Sequence, residues 1–247
     1  MRWFRTELHV HTVLSPCGDL YMSPSRIIEQ AKKLGIDIIA ITDHNSTKNC
    51  DAAMKIGKEA GITVLPGVEF NTQEEVHCLG IFENLEQTIE IQAFINEHLM
   101  PVLNKAEKFG EQLIVDENEN ILEEEPYLLI NALSADIGKV EKKTHELGGL
   151  FIPAHIDRKY NSIFSQLGFI PPDLNIDALE ISSKVSKLEF LERQKRLNAP
   201  IIRNSDAHYE NQLGNANTYF KMEKADFKNI KKVLKNKKRE AIRIFDL

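Results

Sequence analysis

Histidines and carboxylates recur in this chain at the ends of short apolar runs, and its chemistry is expected there. His9 and His11 stand two residues apart in Thr6–Thr12, where Leu8 and Val10 alternate with Glu7 and the two imidazoles. Residues i and i+2 of a strand leave the same face, so both rings can grip one cation. His44 follows Ile41-Thr42-Asp43, Glu69 closes Gly67-Val68, and His77 lies between Val76 and Cys78. His155 ends the run Phe151–Ala154, and Asp206 and His208 follow Asn204-Ser205. Taken singly, each histidine reads as a satisfied core imidazole. Taken together they do not, because clustered imidazoles beside carboxylates are costly to bury without a cation. Mixed nitrogen and oxygen donors suit zinc, manganese or iron alike.

The elements that must position these residues alternate strand with helix. The apolar runs predict strands at Thr6–Thr12, Asp37–Thr42, Ile62–Phe70, Val76–Phe82, Gly149–Ile156, Ala178–Ser182 and Ile201–Ser205. Ser23 and Pro24 open a helix with Ile27, Ile28, Ala31 and Leu34 as its apolar stripe, and Gly35 ends it. A second helix spans Ser46–Ala60 before Gly61, and a last one lies within Lys221–Arg239, with Phe227, Ile230, Val233 and Leu234 facing inward. This alternation favours a parallel βα arrangement, whose active-site rim lies at the strand C-termini. The stretch from about 86 to 146 is the one long excursion, with a helix near Ile89–Leu103 and a hairpin at Leu113–Glu123. It reads as a helical and hairpin insertion on a single domain covering 1–247.

The chain has 247 residues, a length suited to one α/β barrel, and 42% hydrophobic content for its core. A formal net charge of −6 argues against coating nucleic acid, although not against trimming one end of it. No apolar run is long enough for a secretory signal or a membrane span. Cys17, Cys50 and Cys78 are odd in number and form no Cys-x-x-Cys pair, so a reduced, cytoplasmic setting is the simplest expectation. No obligate protein partner is evident. The basic run Lys228–Arg239 reads as a solvated helix face rather than a nucleic-acid contact.

His9-x-His11-Thr12, Thr42-Asp43-His44, Gly67-Val68-Glu69, the His77 and His155 strand ends, and Ser205-Asp206-x-His208 follow one another across most of the chain. In type and order they resemble the motifs of the PHP (polymerase and histidinol phosphatase) family, nearest to its small stand-alone bacterial phosphoesterases. The resemblance implies a distorted (β/α)7, TIM-like barrel and two or three divalent metal ions (zinc, manganese or iron). By resemblance, His9, His11, Glu69 and Asp206 would hold the first metal. Glu69 would bridge to a second, completed by His77 and His155, and Asp19, His44 and His208 would hold a third. The family places an Asp-Gly soon after its first motif, whereas this chain reads Ser15-Pro16-Cys17-Gly18-Asp19. If the loop turns Asp19 away, Cys17 offers a substitute donor, but it reads first as a small buried thiol.

Metals sharing Glu69 would lower the pKa of a bridging water to give a hydroxide nucleophile. His9, His11, Glu69, Asp206 and His208 would then be the catalytic set. No Gly-x-Ser-x-Gly nucleophile elbow is present. Arg158 and Lys184 are candidate phosphate contacts, or else solvated surface cations. Asp43 reads as a buttress for His44 or a neighbouring group. His98 and His145, off the strand-end pattern, read as structural. The function expected is hydrolysis of a small phosphate monoester. The alternatives are 5'-3' exonuclease or phosphodiesterase action on a nucleic-acid terminus, and a metal-binding scaffold without turnover.

Overall fold

The computed structural model describes residues 1–186, 190, 197, 199–236 and 239–245. A seven-stranded curled sheet runs in the order β11-β10-β1-β2-β3-β4-β7. These strands are β1 (Arg2–Val10), β2 (Ile38–Ile41), β3 (Thr63–Asn71), β4 (His77–Ile81), β7 (Leu150–Pro153), β10 (Thr218–Met222) and β11 (Ile242–Ile244). The parallel pair β8 (Leu179–Ile181) and β9 (Ile201–Arg203) sits between the two edges. It is tied to one edge by the Asp177 amide on the Phe151 carbonyl at 3.1 Å. A bridge from Val10 to Ala207 joins the end of β9 to β1. The result is a distorted, TIM-like α/β barrel, as the motifs imply.

Alternate residues of β2 show how the layers form. Ile38 and Ala40 enter a core with Leu8, Leu65, Leu79, Ile81 and Ile152, to which α7 (Phe227–Lys235) adds Phe227, Ile230 and Leu234. Ile39 and Ile41 point the other way, onto Ile27, Ile28 and Ala31 of α1 (Pro24–Lys33) and Cys50 and Ala53 of α2 (Cys50–Ala60). A third cluster packs Val68, Phe70 and Phe151 against Ile91 and Ile95 of α3 (Leu85–His98) and Val140 of α5 (Ile137–Glu146). Each such aliphatic side chain contributes about 1.5–3 kcal/mol on burial.

The sheet is mixed rather than parallel. β1, β2 and β3 run parallel, but β4 is antiparallel to both β3 and β7. The reason is the connection: β3 and β4 are joined by a tight turn at Thr72–Val76, closed by the Thr72 amide on the Val76 carbonyl at 3.0 Å, and a parallel return needs a longer crossover. β10 and β11 form an antiparallel edge beside β1. The last helix is therefore shorter than expected, because Lys221 and Met222 belong to β10. Lys237 and Lys238 of the basic run lie outside the described residues. α3 begins earlier, at an Asn84–Gln87 capping box, and ends before Pro101.

The expected hairpin is present as β5 (Leu113–Val115) and β6 (Ile121–Glu124), preceded by the short α4 (Ala106–Phe109). The segment is stitched to the barrel rim. The Leu113 amide donates to the Val13 carbonyl at 3.0 Å, and the Asn45 side-chain amide donates to the Leu129 and Asn131 carbonyls, both at 2.8 Å.

Candidate metal centre

Glu69, at the end of β3 and 1% exposed, is the hub of the rim. His77 Nδ1 and His155 Nε2 lie 2.9 and 3.2 Å from its Oε1. His44 Nδ1 lies 3.0 Å from its Oε2. His9 Nε2 stands 3.2 Å from Glu69 Oε1 and 3.2 Å from Asp206 Oδ1, while His11 Nε2 stands 3.3 Å from Glu69 Oε2 and 3.1 Å from Asp206 Oδ1. His208 stacks on His11 with ring centroids 4.0 Å apart, its Nδ1 3.5 Å from Asp206 Oδ1. Three overlapping donor sets result: His9, His11, Glu69 and Asp206; His44, Glu69 and His77; and His11, His44 and His208.

These side chains fit divalent cations on their own geometry. His9 Nε2, His11 Nε2, His44 Nδ1, His155 Nδ1, Glu69 Oε2 and Asp206 Oδ1 are buried and make no hydrogen bond. Each orphaned buried group costs about 1–3 kcal/mol, so a cluster of them aimed at one another calls for a shared cation. Two candidate ligands also hold strained backbone: φ is +32° at His155 and +53° at Asp206, a conformation that costs roughly 1–3 kcal/mol for residues other than glycine.

The electrostatics agree. Burial disfavours a charge on His11, but the Asp206 and Glu69 carboxylates, 3.1 and 3.3 Å from its Nε2, outweigh burial and raise its pKa to about 9. For His44, burial is likewise overcome, chiefly by Glu69, and the pKa rises to about 9. His77 and His208 go the other way, lowered by burial to about 4 and about 3. The carboxylates thus draw positive charge into a buried space, which divalent ions supply without protonating their own ligands.

A supporting layer orients the donors. Glu180 of β8 holds His9 Nδ1 at 2.9 Å, accepts the Asn204 side-chain amide at 2.7 Å and takes the His155 backbone amide at 3.1 Å. The Ser15 hydroxyl meets His11 Nδ1 at 2.9 Å and donates to Asp43 Oδ1 at 2.7 Å. Asp43 also takes the Thr12 amide and hydroxyl, at 2.7 and 2.8 Å. Asp43 therefore anchors the loop after β1 and reaches His11 through Ser15. Beneath them Glu7, pushed up to about 8 by burial, accepts the Ser205 amide at 2.9 Å. The roles of Glu180 and Glu7 escaped the sequence reading, although a Glu inside each of two buried strands was the available signal.

The remaining candidates fall as follows. Arg158 reaches the cluster, its guanidinium 2.6 Å from Asp206 Oδ2. Lys184 is exposed, in the turn after β8, and does not join the cluster. Asp19 is not brought in either: its carboxylate turns back to accept the Tyr21 amide at 2.8 Å, and it lines an outer cavity of about 400 Å³ with Tyr21, Gln30 and Tyr209. His98 Nδ1 meets the Phe94 carbonyl at 2.8 Å, and His145 lies between Glu141 (2.5 Å) and Asp177 (2.8 Å), both away from the centre.

The chain resembles several known proteins. It is 44% identical over 71 residues to a PolC-type DNA polymerase III of Oceanobacillus iheyensis, covering 29% of this chain and 5% of that one. It is 32% identical over 80 residues to the phosphoribosyl 1,2-cyclic phosphate 1,2-diphosphodiesterase of Eggerthella lenta, covering 30% of this chain and 29% of that one. The likeness thus takes in a small part of a polymerase as well as part of a diphosphodiesterase, and it spans less than a third of either relative. The lesion-specific endonuclease EndoQ of Pyrococcus furiosus shares the fold, with a TM-score of 0.72 and 19% identity over 98% of this chain and 58% of its own. A PHP-domain match covers residues 7–160 and takes in all the converging donors except Asp206 and His208. On that match and on the rim geometry, the chain belongs to the PHP domain family.

Proposed function

We propose that this chain, read as one domain with an insertion at 86–146, is a metal-dependent hydrolase of phosphate monoesters of a small metabolite or nucleotide. The observation that carries the reading is the set of buried, unpartnered imidazole and carboxylate atoms converging on Glu69 and Asp206. His9, His11, Glu69 and Asp206 would hold one metal, His77, His155 and Glu69 a second, and His44 and His208 would contribute to a third. Zinc, manganese and iron all suit these donors. When bound, such ions supply Lewis acidity, activating water and neutralising charge on the phosphoryl group.

The chain's own residues do the rest. Glu180 holds a proton on His9 Nδ1 and leaves Nε2 free to ligate, and the Ser15 hydroxyl fixes the ring of His11. Arg158, half-exposed at the mouth and now paired with Asp206, can turn its fork onto a phosphate. Exposed Tyr160 and Tyr209, two residues past Arg158 and one past His208, favour a second reading in which a nucleic-acid end stacks at the mouth. The acidic balance supports the small ester. The test is a panel of p-nitrophenyl phosphate, its bis-ester, nucleotides and short oligonucleotides, each with zinc and with manganese. Turnover of monoesters alone supports the first reading and of oligonucleotides alone the second. No hydrolysis with any metal leaves a non-catalytic scaffold.

A further inference from the structure

The loop after β1 and the turn after β9 meet beside the metal centre and leave a cavity of about 400 Å³ between themselves and α1. Asp19 and Tyr21 line it from the first, Gln30 from α1, and Tyr209, Glu210 and Asn211 from the second. Cys17, exposed rather than buried as its size suggests, brings the first loop to the surface. Backbone hydrogen bonds fix both walls. The Asp19 amide donates to the His208 carbonyl, the Met22 amide to the Asp19 carbonyl and the Gln212 amide to the Tyr209 carbonyl, each at 2.9 Å.

The side chains around this space are not taken up by the fold. Tyr21 and Tyr209 are 63 and 48% exposed, and among the described residues neither phenol has a hydrogen-bond partner. The side chains of Gln30, Glu210 and Asn211 have none either, and Asp19 gives one oxygen to the Tyr21 amide and keeps the other free. No lysine or arginine lines the cavity; Arg26 lies over the Tyr21 ring, 5.2 Å from its centroid. Tyrosine rings beside carboxylates and amides suit a ligand with apolar C–H faces and several hydroxyls, which those oxygens can accept. A phosphate would instead meet two carboxylates of its own sign. The volume is at the small end for ligand cavities, which run from about 300 to 1,000 Å³.

Tyr209 follows His208, whose ring stacks on His11 with centroids 4.0 Å apart, and Tyr209 itself is extended at a φ of −135° and a ψ of 147°. Successive side chains of an extended chain leave opposite sides, so a single backbone separates the cavity from the imidazoles. We propose that the cavity is a subsite for a neutral sugar residue of a phosphate ester whose phosphoryl group lies at the metal centre. The inference rests on the phosphoesterase reading and names its substrate class. Tyr21 and Tyr209 flank the sugar ring, Asp19 and Glu210 accept from its hydroxyls, and the Gln30 and Asn211 amides both donate and accept. A nucleic-acid strand, with a phosphate at every step, is disfavoured on this side of the rim.

The test compares hexose and pentose monophosphates with methyl phosphate, which has nothing to place in the cavity, on the full metal-loaded chain. The expected result is a preference for a sugar phosphate, read as a ratio of kcat/KM values within each variant. In Glu210→Gln that ratio should fall about tenfold, the size of one lost hydrogen bond to a charged group. Tyr21→Ala should lower it too, and Glu210→Lys should shift the preference toward sugar bisphosphates. Saturation-transfer NMR with the free sugars reads binding without turnover, and its signal should be lost in Tyr21→Ala. No preference for any sugar phosphate, or one that both Tyr21→Ala and Glu210→Gln keep, overturns the subsite and leaves the metal centre standing. Sugars that bind the parent when no ester is hydrolysed with any metal overturn the phosphoesterase reading and leave the sugar cavity standing. Neither binding nor turnover overturns both.

Discussion

Glu180→Gln is the sharpest single perturbation of this centre, because it changes one atom and removes no candidate ligand. The carboxylate serves three donors at once: His9 Nδ1 at 2.9 Å, the Asn204 amide at 2.7 Å and the His155 backbone amide at 3.1 Å. A glutamine has one acceptor oxygen. If its NH2 faces Asn204, two donors oppose each other in a site where Glu180 is 1% exposed. If the NH2 faces His9, the imidazole must accept at Nδ1 and carry its proton on Nε2, the atom aimed at Glu69 and Asp206. Either way the His9 ligand is misoriented or capped. Replacing a carboxylate that orients a metal-binding histidine typically costs 10–100-fold in affinity, roughly 1.4–2.7 kcal/mol. Competition of the metal-free protein against a chromophoric zinc chelator measures this directly, with circular dichroism as the check on folding. A folded Glu180→Gln variant that binds zinc as tightly as the parent would refute the argument that Glu180 works through His9.

Four further outcomes follow from the same geometry. His9→Ala or Asp206→Ala should abolish phosphoesterase turnover while leaving a folded protein, read by rates and circular dichroism; near-normal turnover from a cleanly demetallated sample would contradict the mechanism. Arg158→Ala should raise KM for a monoester about tenfold or more with a smaller change in kcat, whereas Lys184→Ala should change neither parameter appreciably. Asn45→Ala leaves the Leu129 and Asn131 carbonyls without their donor and puts alanine at a φ of +43°, so urea unfolding should show a loss of at least about 2 kcal/mol. The hydrogen bond to Asp177 raises the pKa of His145, so its stabilisation is complete below the unfolded value and fades as pH climbs through the folded one. His145→Gln should therefore cost more at about pH 5.5 than at about pH 8.5, and a cost independent of pH would exclude this linkage.

The sequence announced the donors more clearly than the frame that carries them. His9, His11, His44, His77, His155 and His208 are rare, chemically specific residues at the ends of legible apolar runs, and spacing alone placed them on one rim. Strand direction was less visible. The antiparallel β4 depends on a tight turn at Thr72–Val76 where Glu75 adopts a φ of +60°, and no glycine marks the turn. β10 was hidden because Thr218–Met222 mixes threonine, tyrosine and lysine, and its pairing partner β1 lies at the other end of the chain. Asp19 stands apart from the cluster for a related reason. Residue type and approximate spacing fit a ligand, but after the turn at Ser15–Gly18 the Asp19 carboxylate is taken by the Tyr21 amide.

The centre is also where the fold contradicts its own local preferences. His155 and Asp206 hold left-handed backbone that glycine or asparagine would adopt at lower cost, and each is kept there by neighbours. The His155 amide is fixed on Glu180, and the residue after Asp206, Ala207, bridges to Val10 while its carbonyl accepts the His11 amide at 3.0 Å. The strain turns both side chains back over the mouth, toward Glu69 and the two histidines of β1. Nothing in core packing requires that turn, since Ala154 and Ala207 on either side are already buried. Strained backbone, unpartnered donors and displaced protonation equilibria coincide on one set of atoms, and a bound divalent cation offsets all three at once. Stability and activity are then coupled through one ion-binding equilibrium, and the rim is the part of the barrel that metal removal should loosen first.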